Sequence, residues 1–332
     1  MISALKFLTY SALGIGLGSA LTACTNSYKT RQIEAAYPPV GQFTEVDGRK
    51  VHYVRKGSGP EVVLIHGAGG NLRDFTFDLM GRLTDRYTVT AFDRPGHGYT
   101  DQVPGIDTGP FSTQGDGPMA QAAILRAAAA QLGIGNPIVV GHSFGGIVSL
   151  AWANIGLDVD SPQNAAGIVS LAGVALPWPY PLGAYYTVNG SAIGGAVVIP
   201  VLSAVATDGI VKTAVAGTFA PQDPPAGYAA HLGAPLILRP DSFRANVRQV
   251  NTLRPKVVEM AKRYGELSIP IEFVHGTADA TVPIHVHAAE MIKIVPNAAL
   301  TALDGVGHMP HHIDPEATVA AIDRIAARTG LR

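Results

Sequence analysis

The chain has 332 residues, 47% of them hydrophobic and only 15% charged, with a formal net charge of −1. This composition excludes a disordered tail or a coiled coil and describes a globular protein with a large core. It also excludes nucleic acid as a partner, because phosphate binding needs a basic patch and no cluster of Lys and Arg occurs. The length suits one large α/β domain with an insertion.

The first 24 residues have the layout of an export signal: Lys6, an apolar run from Phe7 to Ala20, then Leu21-Thr22-Ala23-Cys24. Those last four residues resemble the lipobox of bacterial lipoproteins, which implies lipidation of Cys24 as the mature N-terminus. An uncleaved anchor and a plainly cleaved signal are the other open readings. All three place the body in the bacterial cell envelope, with the membrane as partner of the N-terminal segment. Cys24 is the single cysteine, so no intrachain disulfide can form. Residues 25–40 are polar, contain Pro38-Pro39 and read as a tether.

The domain opens with a hairpin pattern, Phe43 to Val46 and Val51 to Val54 around Asp47-Gly48. Glu61 to Ile65 reads as a buried strand ending in His66-Gly67-Ala68-Gly69-Gly70. That loop fails as a dinucleotide site, since Leu72 stands where the third glycine is needed. It fits an oxyanion loop that aims a backbone N–H at a reacting carbonyl. A helix is expected over Asn71 to Leu83, then a strand from Tyr87 to Phe92 ending in Asp93-Arg94-Pro95-Gly96-His97-Gly98. His97 there reads as structural. A Gly- and Pro-rich loop follows, then a helix from Pro118 to Leu132, with proline at its start and Gly133 at its end.

Pro137 to Val140 reads as a strand and Ile147 to Trp152 as a helix, with Gly141-His142-Ser143-Phe144-Gly145 between them. Gly-x-Ser-x-Gly is the pattern of a sharp strand-to-helix turn that lifts a serine hydroxyl clear of a sheet. The glycines are needed because a strained nucleophile turn crowds the positions two before and two after. With 38 glycines in the chain the pentapeptide alone is a common chance match, so its context must carry it.

After a strand at Ala165 to Ala172 the pattern breaks. Residues 176–267 read as a helical cap with helices at Ile193 to Val205, Ile210 to Phe219 and Ser242 to Tyr264. A cap belongs over the carboxyl edge, where open α/β sheets bind ligands. A strand resumes at Pro270 to Val274, followed by His275-Gly276-Thr277-Ala278-Asp279. Helix Ile284 to Ile294, strand Ala298 to Leu303, the loop Asp304-Gly305-Val306-Gly307-His308 and helix Asp314 to Arg328 complete the chain.

The order Ser143, Asp279, His308 suits a nucleophile, an orienting acid and a general base. The backbone N–H groups of Ala68 and Phe144 are the expected oxyanion donors. Asp304 is a rival acid, and Asp279 is preferred for its place just past a strand end. His142 reads as a packing residue. His285, His287, His308, His311 and His312 raise the question of metal. No carboxylate or cysteine stands at ligand spacing beside them, so neither metal nor cofactor is expected.

From Phe43 to Arg328 the chain resembles the α/β-hydrolase fold superfamily, on four motifs in order: His66-Gly67-Ala68-Gly69, Gly141-His142-Ser143-Phe144-Gly145, His275-Gly276-x-x-Asp279 and Gly307-His308. The resemblance implies a mostly parallel, doubly wound, eight-stranded sheet from residues 41–175 and 268–332, with the cap between strands six and seven. It also implies a Ser-His-Asp hydrolase. Serine as nucleophile disfavours the related epoxide hydrolases and haloalkane dehalogenases, which use a carboxylate. The expected activity is carboxylesterase-like hydrolysis of a small or medium hydrophobic ester through an acyl-enzyme on Ser143. C–C bond hydrolysis, cofactor-free perhydrolysis and a non-catalytic envelope protein are the alternatives.

Overall fold

Asp47 and Gly48 take positive φ values of 50° and 72°, the backbone of a two-residue hairpin turn. They join strands β1 (Gln42–Val46) and β2 (Arg49–Gly57), paired in antiparallel register with Phe43 opposite His52. The remaining strands are β3 (Glu61–Ile65), β4 (Thr88–Phe92), β5 (Ile138–His142), β6 (Gly167–Leu171), β7 (Ile271–Gly276) and β8 (Ala298–Leu303). They form one eight-stranded sheet in the order β1-β2-β4-β3-β5-β6-β7-β8, parallel from β4 onward. This is the α/β-hydrolase fold. The computed structural model describes residues 20–332, so the apolar run of the proposed export signal lies almost wholly outside the described residues.

β5, β6 and β7 are buried along their whole length, as expected of parallel strands covered on both faces. On one face Leu125 of helix α4 (Pro118–Gln131) and Ile147, Leu150 and Trp152 of α5 (Phe144–Gly156) fill the core. On the other face lie Phe75 of α2 (Arg73–Thr76), Leu79 and Leu83 of α3 (Leu79–Leu83), and Ile322 and Ile325 of α14 (Pro315–Arg328). Gly133, at φ 68°, ends α4 in the left-handed conformation that suits glycine just past a helix.

Several expected elements differ. The segment expected to be a tether is helical: residues 20–36 form α1, tied to the body by the Glu34–Arg239 ion pair at 2.9 Å. The single helix expected over Asn71 to Leu83 is two short ones. Between them, Phe77 turns to pack edge-on against the rings of Tyr228, His231 and His312. The helix expected from Ile284 begins only at Ala288, as α12 (Ala288–Ile294), and a short α13 (Pro310–Ile313) follows β8.

Between β6 and β7 the chain is helical, in α6 (Ala184–Asn189), a π turn at Gly194–Val198, α7 (Ile199–Val205), α8 (Asp208–Phe219), α9 (Tyr228–Leu232), α10 (Pro240–Asn251) and α11 (Leu253–Ala261). Two breaks have a common cause. Pro200 and Pro255 lack an N–H and crowd the preceding turn, so the π turn interrupts one expected helix and Thr252 divides the other. These helices reach the loops at the carboxyl ends of the strands. Asn246 bonds Gly69 after β3, Gln249 bonds the Pro95 carbonyl after β4, and Gln222 bonds Gly307 after β8.

Ile322 is fully buried between α14 and the sheet. Ile322→Ala is expected to cost about 2–5 kcal/mol. In urea this should read as a lower midpoint at unchanged slope; an unchanged midpoint would contradict this packing.

Candidate active site

The strand order reverses between β3 and β5, where the chain leaves one strand for each side of the sheet. Open α/β sheets bind ligands at such a point. The loop after β3 is His66-Gly67-Ala68-Gly69, and the turn after β5 carries Ser143. Ser143 sits at φ 53°, ψ −116°, a strained backbone for a residue with a side chain. The strain is held by close packing. A Cβ on Gly141 would run into the Gly145 carbonyl, and one on Gly145 would run into the Ile65 carbonyl. A Cβ on Gly67 would stand 3.0 Å from Cβ of Ser143, so the β3 loop lies directly against the serine. Ala68 is the next residue in that loop. Phe144 is the first residue of α5, whose leading amides have no acceptor inside the helix.

The three residues expected to act together are brought together. His308 Nε2 is 2.9 Å from Ser143 Oγ, and His308 Nδ1 is 2.8 Å from Asp279 Oδ2. A carboxylate only accepts, so Nδ1 carries the proton and, in the neutral ring, Nε2 presents its lone pair to the serine hydroxyl. Asp279 is fixed in turn. Its Oδ1 accepts from the backbone N–H groups of Thr281 (2.8 Å) and Val282 (2.9 Å). Burial works against the charge of Asp279, but hydrogen bonds from His275, His308 and the Val282 amide outweigh it and hold its carboxyl well below the usual range. The rival Asp304 lies at the surface, where Oδ1 accepts from Thr277 Oγ1 at 3.3 Å, away from the serine.

Sequence reasoning missed the supports behind these groups. Arg94 is fully buried; its Nε donates to the His66 carbonyl (2.9 Å) and an Nη to the Gly67 carbonyl (3.0 Å), pinning the β3 loop from behind. Its guanidinium also lies 4.4 Å from the ring centre of Phe144, which ties the loop to the start of α5. His142, expected only to pack, donates Nε2–H to the His308 carbonyl at 2.9 Å. It thereby joins the serine turn to the loop that carries the histidine. Behind it Asp74 is fully enclosed and accepts from Tyr228 Oη (2.8 Å) and His312 Nε2 (2.8 Å), with His311 Nε2 at 3.3 Å. Asp74, His311 and His312 bring their ligand-type atoms within 4.8 Å of one another. Chain spacing could not show this, because the carboxylate comes from far away in sequence. Hydrogen bonds to an ionised Asp74 account for the arrangement: despite burial, His311 and His312 hold its carboxyl well below the usual range. Both Nδ1 atoms lack the acceptor on the far ring nitrogen that orients a metal-bound histidine. His287 accepts from the Ala175 and Leu176 amides and so is structural, while His97 holds the Pro95 carbonyl.

The site is covered. Ser143, Asp279 and His308 are 8%, 5% and 5% exposed. The arrangement can deprotonate a hydroxyl, deliver it to an electrophile and stabilise the resulting imidazolium.

Residues 62–321 match the model of the alpha/beta hydrolase family, and the chain belongs to that family. It is a hydrolase by family. A similar relative is uncharacterized protein Rv2715 of Mycobacterium tuberculosis, 30% identical over 305 residues, which cover 90% of this chain and 84% of the relative. Among solved structures, an alpha/beta hydrolase fold protein from Burkholderia ambifaria aligns at TM-score 0.68 and 20% identity, covering 85% of this chain and 97% of that one. A thermophilic esterase from Thermogutta terrifontis aligns at TM-score 0.66 and 20% identity, covering 87% of this chain and 99% of that one.

Burial holds five histidines neutral. His66 and His142 lie well below the ordinary 6.5, His97 is pushed down to about 3, and His287 and His311 to about 4. In the unfolded chain each binds a proton near pH 6.5, whereas the native state does not until far lower. The unfolded state therefore binds more protons, and stability must fall as pH drops from about 6.5 toward 4. Chemical denaturation at pH 7.5, 6, 5 and 4.5 should show this steep loss; a flat profile would contradict neutral burial.

Proposed function

We propose that the protein is a serine hydrolase that cleaves carboxylic esters through an acyl-enzyme on Ser143. The observation that carries this reading is the continuous hydrogen-bonded series Ser143 Oγ, His308 and Asp279, at 2.9 and 2.8 Å. His308 takes the hydroxyl proton as Ser143 attacks the carbonyl. The tetrahedral oxyanion is received by the N–H groups of Ala68 and Phe144, one from the β3 loop and one from the start of α5. His308 then gives its proton to the leaving alcohol. A water, deprotonated by the same histidine, releases the acid and restores the serine. Asp279 keeps the ring in the tautomer that makes each step possible. The chemistry draws on no cofactor.

The aromatic and aliphatic residues of the cap favour a small or medium hydrophobic ester. C–C bond hydrolysis and perhydrolysis would use the same three residues, and substrate panels separate them. The esterases among proteins of this fold lend the ester reading its support.

Hydrolysis of p-nitrophenyl esters from acetate to decanoate, compared between wild type and Ser143→Ala, tests the proposal. Turnover should disappear in the variant, and the chain-length profile should size the acyl pocket. Folded wild type inactive on every ester would overturn the ester reading. Asp279→Asn should keep the fold yet lower kcat by about 10⁴-fold, because the wrong tautomer then faces the serine. A fall of less than tenfold would remove Asp279 from the role of orienting acid.

A further inference from the structure

One stretch of the cap's outer side carries no charged side chain. Between Asp160 and Asp208 the chain contains no Asp, Glu, Lys, Arg or His. Within that stretch Ile193, Val197, Val201 and Val205 recur every four residues along the π turn and α7, and are 70%, 55%, 47% and 61% exposed. Tyr185 and Val188 of α6 are each 51% exposed. A soluble surface breaks such a run with charge; an unbroken one marks an interaction face.

A second observation says what covers it. Helix α1 docks on this same part of the cap: Asn26 Nδ2 donates to the Pro200 carbonyl at 3.0 Å and Lys29 Nζ to the Ala206 carbonyl at 3.1 Å. Asn26 is buried, and Cys24, two residues before it, is exposed. Acyl chains on Cys24 and an uncleaved apolar run from Phe7 to Ala20 would each begin beside α7. Either anchor brings the bilayer to the stripe. Among the described residues no single helix is long and apolar enough to cross a membrane; the helices Gly194–Val205 and Asp208–Phe219 qualify only as a pair bent by 106°. Such a bend suits helices lying in the interface plane with one face in the acyl boundary. Tyr185 suits the headgroup level, where amphipathic rings collect.

We propose that the cap's outer face, centred on Ile193, Val197, Val201 and Val205, lies on the lipid bilayer beside the N-terminal anchor. The substrate is then an ester dissolved in the lipid phase, a point that rests on the serine-hydrolase reading above.

The test uses the full chain in phosphatidylethanolamine–phosphatidylglycerol vesicles, plain or with dibrominated acyl chains. Single variants Val197→Trp and Val201→Trp report on the stripe. Val159→Trp, at an exposed position (48%) outside the cap, is the control, and the buried Trp152 and Trp178 give the background. After flotation with the vesicles, brominated lipid should quench the two stripe probes by at least about half and leave Val159→Trp unchanged. Flotation without that difference would overturn the proposal, as would failure to float. Shielding of the stripe probes without vesicles, rising with protein concentration, would assign the face to a second copy and overturn it equally. In a separate arm, Val197→Ser with Val201→Ser should lower hydrolysis of a bilayer-borne medium-chain ester about tenfold and leave a soluble acetate ester unchanged. Equal effects on both esters would sink the lipid-phase substrate. Inactivity on all esters with quenching intact would sink the hydrolase reading and spare the docking face.

Discussion

The tight turn between β5 and α5 is the constraint on which the rest depends. It holds Ser143 in a backbone conformation that the isolated residue avoids, at φ 53° and ψ −116°. Only close packing can keep it there. Gly141 and Gly145 let the carbonyls of Gly145 and Ile65 occupy space that any side chain would need. The same absence of side chains brings the β3 loop against the serine. Strain in the turn and proximity of the loop are thus one arrangement, and the sheet's strand order puts it at the point of reversal.

Around that turn the polar groups are buried, and most are answered, although the Nδ1 atoms of His142, His275, His311 and His312 find no hydrogen-bond partner among the described residues. His308 is held from both sides, by Asp279 through its ring and by His142 through its backbone carbonyl. Arg94 brings a charge into the interior with carbonyls as its partners, beneath the loop that lies against the serine. Asp74 gathers Tyr228 and two histidines behind His142 and links the cap to the core. Such networks fix one geometry because an unpaired member would be costly in a dry interior.

The cap covers this chemistry, and its two sides differ in character. Its inner side offers polar groups from α10, where Asn246 holds Gly69 and Gln249 holds Pro95. Its outer side has the exposed aliphatic row of the π turn and α7. Ser143 beneath the cap is only 8% exposed.

The sequence alone determined the sheet, the serine turn and the order Ser143, Asp279, His308 along the chain. These are local signals: apolar runs of strand length, glycines that a tight turn demands, an acid just beyond a strand end. Glu61–Ile65 and Ala298–Leu303 coincide with the expected strands to the residue. What only the tertiary structure decided lies in contacts between distant segments. Arg94 beneath the β3 loop, Asp74 among His142, His311 and His312, and Asn246 on Gly69 each join residues whose spacing along the chain carries no periodicity. Helix boundaries were also settled there, by Phe77 turning toward the cap and by prolines inside apolar runs. The stretch expected to be a tether is a helix because Asn26, Lys29 and Glu34 find partners on the cap, and a polar segment's own composition cannot say whether such partners exist.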